Sequence, residues 1–126
     1  MARTQIVTAA APRPGGGYSQ GIAAGGLVFT AGLGPHDPAT GAIVGPGIAA
    51  QTRQALANVA AVLGAAGLGL ADVVQSTVHL ADLHRDFAAF DAVYRELMPE
   101  PWPVRTTVGS VLAGILVEID VVAVRS

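Results

Sequence analysis

The residue with the clearest chemical potential is Arg105, which follows Pro101-Trp102-Pro103 at the start of a predicted strand. No acidic residue lies within four positions of it in the sequence. A guanidinium presents a planar fork of N–H donors that matches a carboxylate at two points. Most arginines are nevertheless solvated surface residues. Taken alone, Arg105 therefore leaves a surface role and a carboxylate-binding role both open.

Two carboxylates form a second candidate group. Glu118 and Asp120 lie two residues apart on the last predicted strand and therefore point to the same face. Carboxylates on an otherwise apolar strand are costly unless they are paired or lie at an edge. Two interpretations remain open: Asp120 pairs with an arginine at an edge, or Glu118 faces a cleft between subunits and positions a water molecule.

Other candidate motifs are weaker. The segment Gly17–Gly21 matches the G-x-S-x-G pattern of a serine nucleophile, but that pattern needs a strand before it and a helix after it. Here a Pro/Gly loop precedes it and a strand is predicted after it, which favours a simple loop in which Tyr18 lines a pocket. His36, His79 and His84 have no metal-ligand spacing, so we expect no metal site.

Composition removes several classes of chemistry. The chain has no cysteine, and all seven of its Lys and Arg residues are arginine. Disulfides, thiolate catalysis, a lysine Schiff base and the P-loop motif are therefore excluded. The net charge of −2 and the absence of a basic stripe argue against a nucleic acid partner. No signal peptide or membrane span is evident, so we expect a cytoplasmic protein.

The elements that would position these residues follow from periodicity. Residues 48–66 and about 85–98 are predicted helices, the second with Phe87, Phe90, Val93, Tyr94 and Leu97 on one face. A short strand is predicted at residues 4–8, and residues 22–31 are predicted to form either a strand pair or one bent strand, with Gly25-Gly26 as the break. Further strands are expected at residues 72–80, 105–108 and 116–124. Residues 37–41 have the composition of a turn that joins two strands.

This order predicts one α+β domain over residues 1–126, with two helices on one face of a sheet. The last strand is apolar on both faces, with Val117, Ile119 and Val121 on one side and Val122 and Val124 on the other. A sheet that is apolar on both faces must be covered on both. Because 52% of the residues are hydrophobic and only 13% charged, we expect a neighbouring subunit to cover the second face.

Several segments, taken in order, resemble the Rid (YjgF-like) family of imine deaminases. The segments that carry the resemblance are Tyr18-Ser19-Gln20, Val28-Phe29-Thr30-Ala31-Gly32, residues 37–41, residues 51–59, Phe87, Tyr94, Trp102-Pro103-Val104-Arg105 and Val117-Glu118-Ile119. No one of these segments is diagnostic, but their ordered set covers nearly the whole chain.

The resemblance implies a chorismate-mutase-like mixed sheet and a homotrimer with a central barrel and three clefts between subunits. It also implies hydrolysis of small 2-imino or enamine acids to 2-oxo acids and ammonia, with no metal or organic cofactor. Arg105 would bind the substrate carboxylate and Glu118 would orient the attacking water. The substrate-binding residues implied in addition are Tyr18, Ala31, Gly32, Asp91, Trp102 and Thr107.

The chain departs from the family pattern at three of these positions. Ala31 replaces a serine, Asp91 an asparagine and Thr107 a frequent cysteine, and the connection from Arg105 to Glu118 is shorter than usual. These changes leave other functions open: a Rid-fold enzyme recruited to a specialised pathway, or a non-catalytic small-molecule-binding module. A ribonuclease or translation inhibitor, as some members have been described, is disfavoured by the acidic net charge.

Overall fold

The computed structural model describes residues 2–126. Its strands are β1 (Thr4–Ile6), β2 (Gly21–Ala24), β3 (Leu27–Thr30), β4 (Val73–Leu80), β5 (Val104–Gly109) and β6 (Val117–Val124), and its helices are α1 (Gly47–Ala65) and α2 (Leu83–Leu97). A short 3-10 turn at Leu70–Asp72 precedes β4. The helices, the Gly25-Gly26 break and the later strands agree with the predicted elements to within a few residues.

Each helix packs against the sheet through its apolar face. In α2, Phe90, Val93 and Tyr94 are buried, three and four residues apart. The helix begins two residues earlier than predicted, because the Asp82 side chain accepts a hydrogen bond from the Arg85 N–H and caps the first turn. Phe87, expected on the same apolar face, is 39% exposed. It lies at the border of that face, next to Arg105.

The six strands form one mixed sheet in the order β1-β2-β3-β6-β4-β5. Only β4 and β5 pair in parallel, and β4 lies between β5 and β6. Both helices pack on the face that carries the buried residues Val28, Val78 and Ile119. This arrangement confirms the predicted α+β fold with two helices on one face of a mixed sheet.

The opposite face of the sheet has no covering layer formed by residues 2–126. Along β6 the buried residues alternate with the more exposed Glu118, Asp120, Val122 and Val124. Neighbouring strands add Phe29, which is 41% exposed and is the cross-strand partner of Val122. The open face of β6 therefore carries the two valines expected there, together with two carboxylates.

Two local predictions were wrong. Strict alternation along residues 72–80 predicts that Val74 shares a face with Ser76 and Val78, but a β-bulge between Val73 and Gln75 shifts the alternation, so Val74 is 45% exposed and Val73 is buried instead. The turn at residues 37–41 forms, but it joins only an isolated bridge between His36 and Ile43 rather than two strands. Within residues 2–126, neither helix is long and apolar enough to cross a membrane.

Candidate functional site

Arg105 lies between the sheet edge and α2, where aromatic rings hold its guanidinium. The guanidinium carbon is 4.6 Å from the ring centroid of Tyr94, 5.4 Å from that of Phe90 and 5.7 Å from that of Phe87. Tyr94 is fixed in turn, because its hydroxyl hydrogen-bonds the buried Ser76 hydroxyl at 2.7 Å. Burial raises the pKa of Tyr94, so the phenol is protonated at neutral pH. This packing holds the arginine fork in one orientation.

Arg105 has no acidic residue close to it in the sequence, but α2 supplies a partner. Asp91 Oδ1 accepts a hydrogen bond from Arg105 Nη1 at 2.7 Å, and its Oδ2 accepts one from Arg95 Nε at 2.9 Å. Burial alone would raise the pKa of Asp91, but the hydrogen bonds from Arg95 and Arg105 outweigh it and lower the pKa. Two arginines and one carboxylate leave a net charge of +1. Arg105 Nε and Nη2 hydrogen-bond no other side or main chain in the part described.

Trp102 completes this first half of the site. Arg95 stacks on its ring, 5.1 Å from the centroid. A cavity of about 380 Å³ lies here, lined by Phe87, Asp91, Tyr94, Arg95, Trp102, Pro103 and Arg105. The cavity therefore combines aromatic surface with an arginine that has free donors, a combination suited to a small carboxylic acid.

Glu118 occupies a separate cavity. A Cβ added to Gly32 would lie 2.8 Å from Glu118 Cδ and Oε2, so the carboxylate rests directly against the glycine backbone. The surrounding cavity has a volume of about 500 Å³ and is lined on its other sides by the loop that carries Tyr18 and by the segment from Leu33 to Gly41. The absence of a side chain at Gly32 is what admits the Glu118 carboxylate at this position.

Arg105 and Glu118 lie on opposite faces of the same sheet. Arg105 is the register partner of Ser76, which is buried under α2. Glu118 is the register partner of His79, which has the opposite parity on β4 and faces the open side. One chain therefore does not bring its two predicted catalytic residues to one small molecule, and each of the two cavities holds only one of them.

The other predicted site residues are distributed among the Arg105 cavity, the Glu118 cavity and other parts of the surface. Asp91 and Trp102 accompany Arg105, while Tyr18 and Gly32 accompany Glu118. Ala31 lines a third, shallow cavity beside Ser19. Thr107 is on the same face of β5 as Arg105 but does not line the Arg105 cavity. Ser19 precedes β2 directly, without the strand–turn–helix context of a nucleophile.

The other acid of β6 does not follow the first of the two interpretations that the sequence left open, which was pairing with an arginine. Asp120 forms no ion pair with an arginine among residues 2–126. Burial raises its pKa, an effect that the charge of His79 opposes. His79 Nδ1 hydrogen-bonds the Ser110 hydroxyl at 2.7 Å. Over the same residues, no three His, Asp or Glu side chains group closely enough to hold a metal ion.

Buried polar residues that support the Glu118 cavity were missed from the sequence. Asn58 of α1 donates from Nδ2 to the carbonyls of Gly34 and His36, both at 2.9 Å. Gln51, two turns earlier on the same face of α1, accepts from the Leu116 N–H at 2.8 Å. The sequence signal that could have found them is the spacing of seven residues between Gln51 and Asn58 on a helix face that is otherwise apolar.

Similarity to known proteins fits this geometry. Residues 8–125 match the family model described as Endoribonuclease L-PSP. A RutC family protein of Pyrococcus horikoshii is 45% identical over 122 residues, which cover 95% of this chain and 96% of that one. A 2-iminobutanoate/2-iminopropanoate deaminase of Salmonella typhimurium is 41% identical over 130 residues, covering 99% of both chains.

Solved structures agree. The structure of YyfA from Yersinia pestis, described as a member of the conserved Rid protein family with unknown function, superposes with a TM-score of 0.92 at 34% identity and covers 98% of this chain and 99% of that one. Sequence and fold thus agree over almost the whole length, and the chain belongs to the YjgF/RutC/Rid family, the Endoribonuclease L-PSP family.

Proposed function

We propose that this chain hydrolyses small 2-imino or enamine acids to 2-oxo acids and ammonia, at sites shared between the subunits of a homotrimer. The observation that carries the proposal is the division of the site: a preorganised arginine with free donors on one face of the sheet, and a carboxylate in an open cavity on the other. The deaminase name of the Salmonella relative supports the same reaction class.

The open sheet face supports assembly. Phe29, Val108, Val122 and Val124 remain partly exposed there, and an apolar surface of this kind marks a contact with another protein chain. A second copy that covers this face in a closed ring would bring the Arg105 cavity of one subunit against the Glu118 cavity of the next. Three subunits arranged in this way would give three equivalent sites around a central barrel.

The reaction requires mainly that the substrate, a water molecule and Glu118 are held in the correct relative positions. Arg105 holds the substrate carboxylate through Nε and Nη2, which fixes the adjacent C=N carbon. Glu118 accepts a proton from a water molecule whose oxygen bonds to that carbon, and it passes this proton to the nitrogen to give a carbinolamine. Glu118 then takes the hydroxyl proton and delivers it to the nitrogen as the C–N bond breaks, so the products are the 2-oxo acid and ammonia. An enamine first takes a proton on its β-carbon to become the imine. The hydrolysis involves no oxidation or reduction, and Glu118 ends the reaction as the carboxylate with which it began.

The test is the decay of an imino acid generated in place by an amino acid oxidase. We expect the wild-type chain to accelerate this decay and Arg105→Ala to lower kcat/KM by roughly a hundredfold or more, since a bidentate charge-assisted contact is lost. Arg53→Ala removes an exposed arginine that pairs with Glu96 on the outer surface of the helices and serves as the matched control. Full activity in Arg105→Ala would refute the proposal.

The family description also names an endoribonuclease. The charge distribution gives that activity little support, because four of the seven arginines already form ion pairs with acids among residues 2–126. Nucleic acid binding draws most of its affinity from clustered free cations. We therefore place the deaminase reaction first.

A further inference from the structure

A cation that the proposed reaction does not use lines the Glu118 cavity. Arg13 belongs to the loop between β1 and β2 and faces the same space as Glu118 and Tyr18. Its side chain forms no ion pair or hydrogen bond with any residue in the range 2–126. The acids that share the cavity are Glu118 and Asp37, and Asp37 Oδ1 is already engaged by the N–H groups of Ala39 and Thr40.

The loop that carries Arg13 is held in place. The side chain of Gln20 is almost fully buried and donates from Nε2 to the carbonyls of Thr8, Ala11 and Pro12, while its Oε1 accepts from the Thr8 N–H. Arg13 itself stands between Pro12 and Pro14, so its backbone is restricted to extended conformations. The Arg13 backbone is therefore presented to the cavity with little conformational freedom.

The cavity is larger than the smallest imino acids need. Its volume is about 500 Å³, whereas a four-carbon acid occupies about as much space as four or five water molecules, roughly 150 Å³. Space therefore remains between Glu118 and the loop for a further substrate group. Arg13 is the arginine among the described residues on this lining, and the carboxylates of Glu118 and Asp37 share the cavity with it. A negatively charged group is therefore suited to the part of this space next to the free Arg13 guanidinium.

We propose that Arg13 binds a second carboxylate at the distal end of the substrate, so that the preferred substrates are 2-imino dicarboxylic acids, the imines of acidic amino acids. The inference rests on the proposed function. Arg105 holds the carboxylate next to the C=N carbon, Glu118 activates water at that carbon, and Arg13 holds the far end. The reaction that supplies such a substrate is the oxidation or dehydration of an acidic or hydroxylated acidic amino acid.

The experiment compares two imines, one generated from an acidic and one from a neutral amino acid, and uses the ratio of their kcat/KM values. We expect this ratio to favour the dicarboxylic imine in the wild type. It should fall roughly tenfold or more in Arg13→Ala, mainly through KM, because a hydrogen-bonded charge pair is lost. Arg13→Lys should give an intermediate ratio. Arg125→Ala, which removes a cation that contacts Ala66 outside this cavity, should leave the wild-type ratio unchanged.

The possible outcomes distinguish a failure of the role proposed for Arg13 from a failure of the proposed deaminase function. An unchanged ratio in Arg13→Ala, with both imines still hydrolysed, overturns the role of Arg13 and leaves the deaminase function standing. Hydrolysis of neither imine by the wild type refutes the deaminase function. In that case, the role of Arg13 is tested by calorimetry with a 2-oxo dicarboxylate and a 2-oxo monocarboxylate. We expect the wild type to bind the dicarboxylate more tightly and Arg13→Ala to lose this preference. Equal affinities for the two acids in the wild type and in Arg13→Ala would overturn the inference.

Discussion

At the scale of single residues, the site depends on how neighbours hold two charged groups. Arg105 is fixed by three ring faces and by Asp91. Glu118 is fixed by its contact with Gly32. Both arrangements hold a charge in position before a ligand binds, and such preorganisation is the main source of rate enhancement that the proposed reaction requires.

Asp91→Asn removes a negative charge beside Arg105 while it keeps the size of the side chain and one acceptor oxygen. We expect a 2-oxo monocarboxylate, the analogue of the product, to bind roughly threefold to tenfold more tightly, since a repulsion of about 1 kcal/mol is removed. Calorimetry measures the affinity. The double variant with Arg105→Ala should lose the gain, and a gain that persists there would show that Arg105 is not the carboxylate site.

The same variant has a predicted pH signature. The folded-state pKa of Asp91 is lowered from 3.8, so its ion pairs contribute stability that is fully present above that value and is lost as the pH falls through the lower folded-state pKa. The difference in free energy of unfolding between the wild type and Asp91→Asn should therefore shrink on acidification below about pH 4. A difference that is independent of pH would contradict the assignment.

Gly32→Ala tests the position of Glu118. The new Cβ would lie 2.8 Å from the Glu118 carboxylate, so the carboxylate must move and we expect kcat to fall tenfold or more with a smaller change in KM. Gly64→Ala is the matched control, because its Cβ meets nothing within 4 Å and it is exposed on α1. Wild-type kcat in Gly32→Ala would exclude a role for this carboxylate position.

At the scale of elements, the sequence predicted the helices and strands but not how the strands pair. Helical periodicity and the Gly25-Gly26 break are local signals, and both were confirmed. The insertion of β4 between β5 and β6 joins residues far apart in the chain, and no local pattern encodes it. The opposite faces of Arg105 and Glu118 follow from that register. The bulge that exposes Val74 depends likewise on the partner strand rather than on β4 itself.

The loop before β2 depends on Gln20. The sequence indicated this residue only as part of the family resemblance and assigned it no structural role, because a glutamine that becomes buried resembles any polar loop residue in the sequence. Gln20→Leu removes four hydrogen bonds and leaves the carbonyls of Thr8, Ala11 and Pro12 without this partner. We expect the free energy of unfolding to fall by about 2–4 kcal/mol, measured by urea denaturation. Gln75→Leu, at an exposed position on β4, should change it little. Equal effects of the two substitutions would contradict the role given to Gln20.

At the scale of the whole molecule, the uncovered sheet face is the feature that connects fold and function. We expect light scattering to report three chains per particle. Val122→Asp places a charge at the centre of the open face, beside Phe29, and should shift the mass toward one chain and abolish imine hydrolysis. Val7→Asp, at a position that is 73% exposed beyond β1, should remain trimeric and active. A monomeric wild type with full activity would refute the assembly.

The shared site itself is tested most directly by complementation. Arg105→Ala and Glu118→Gln should each be inactive alone. If each site takes Arg105 from one subunit and Glu118 from its neighbour, as we propose, trimers formed from an equal mixture of the two variants should regain about a quarter of the wild-type activity. Mixed trimers that remain inactive, while each variant folds and assembles, would contradict a site shared between subunits.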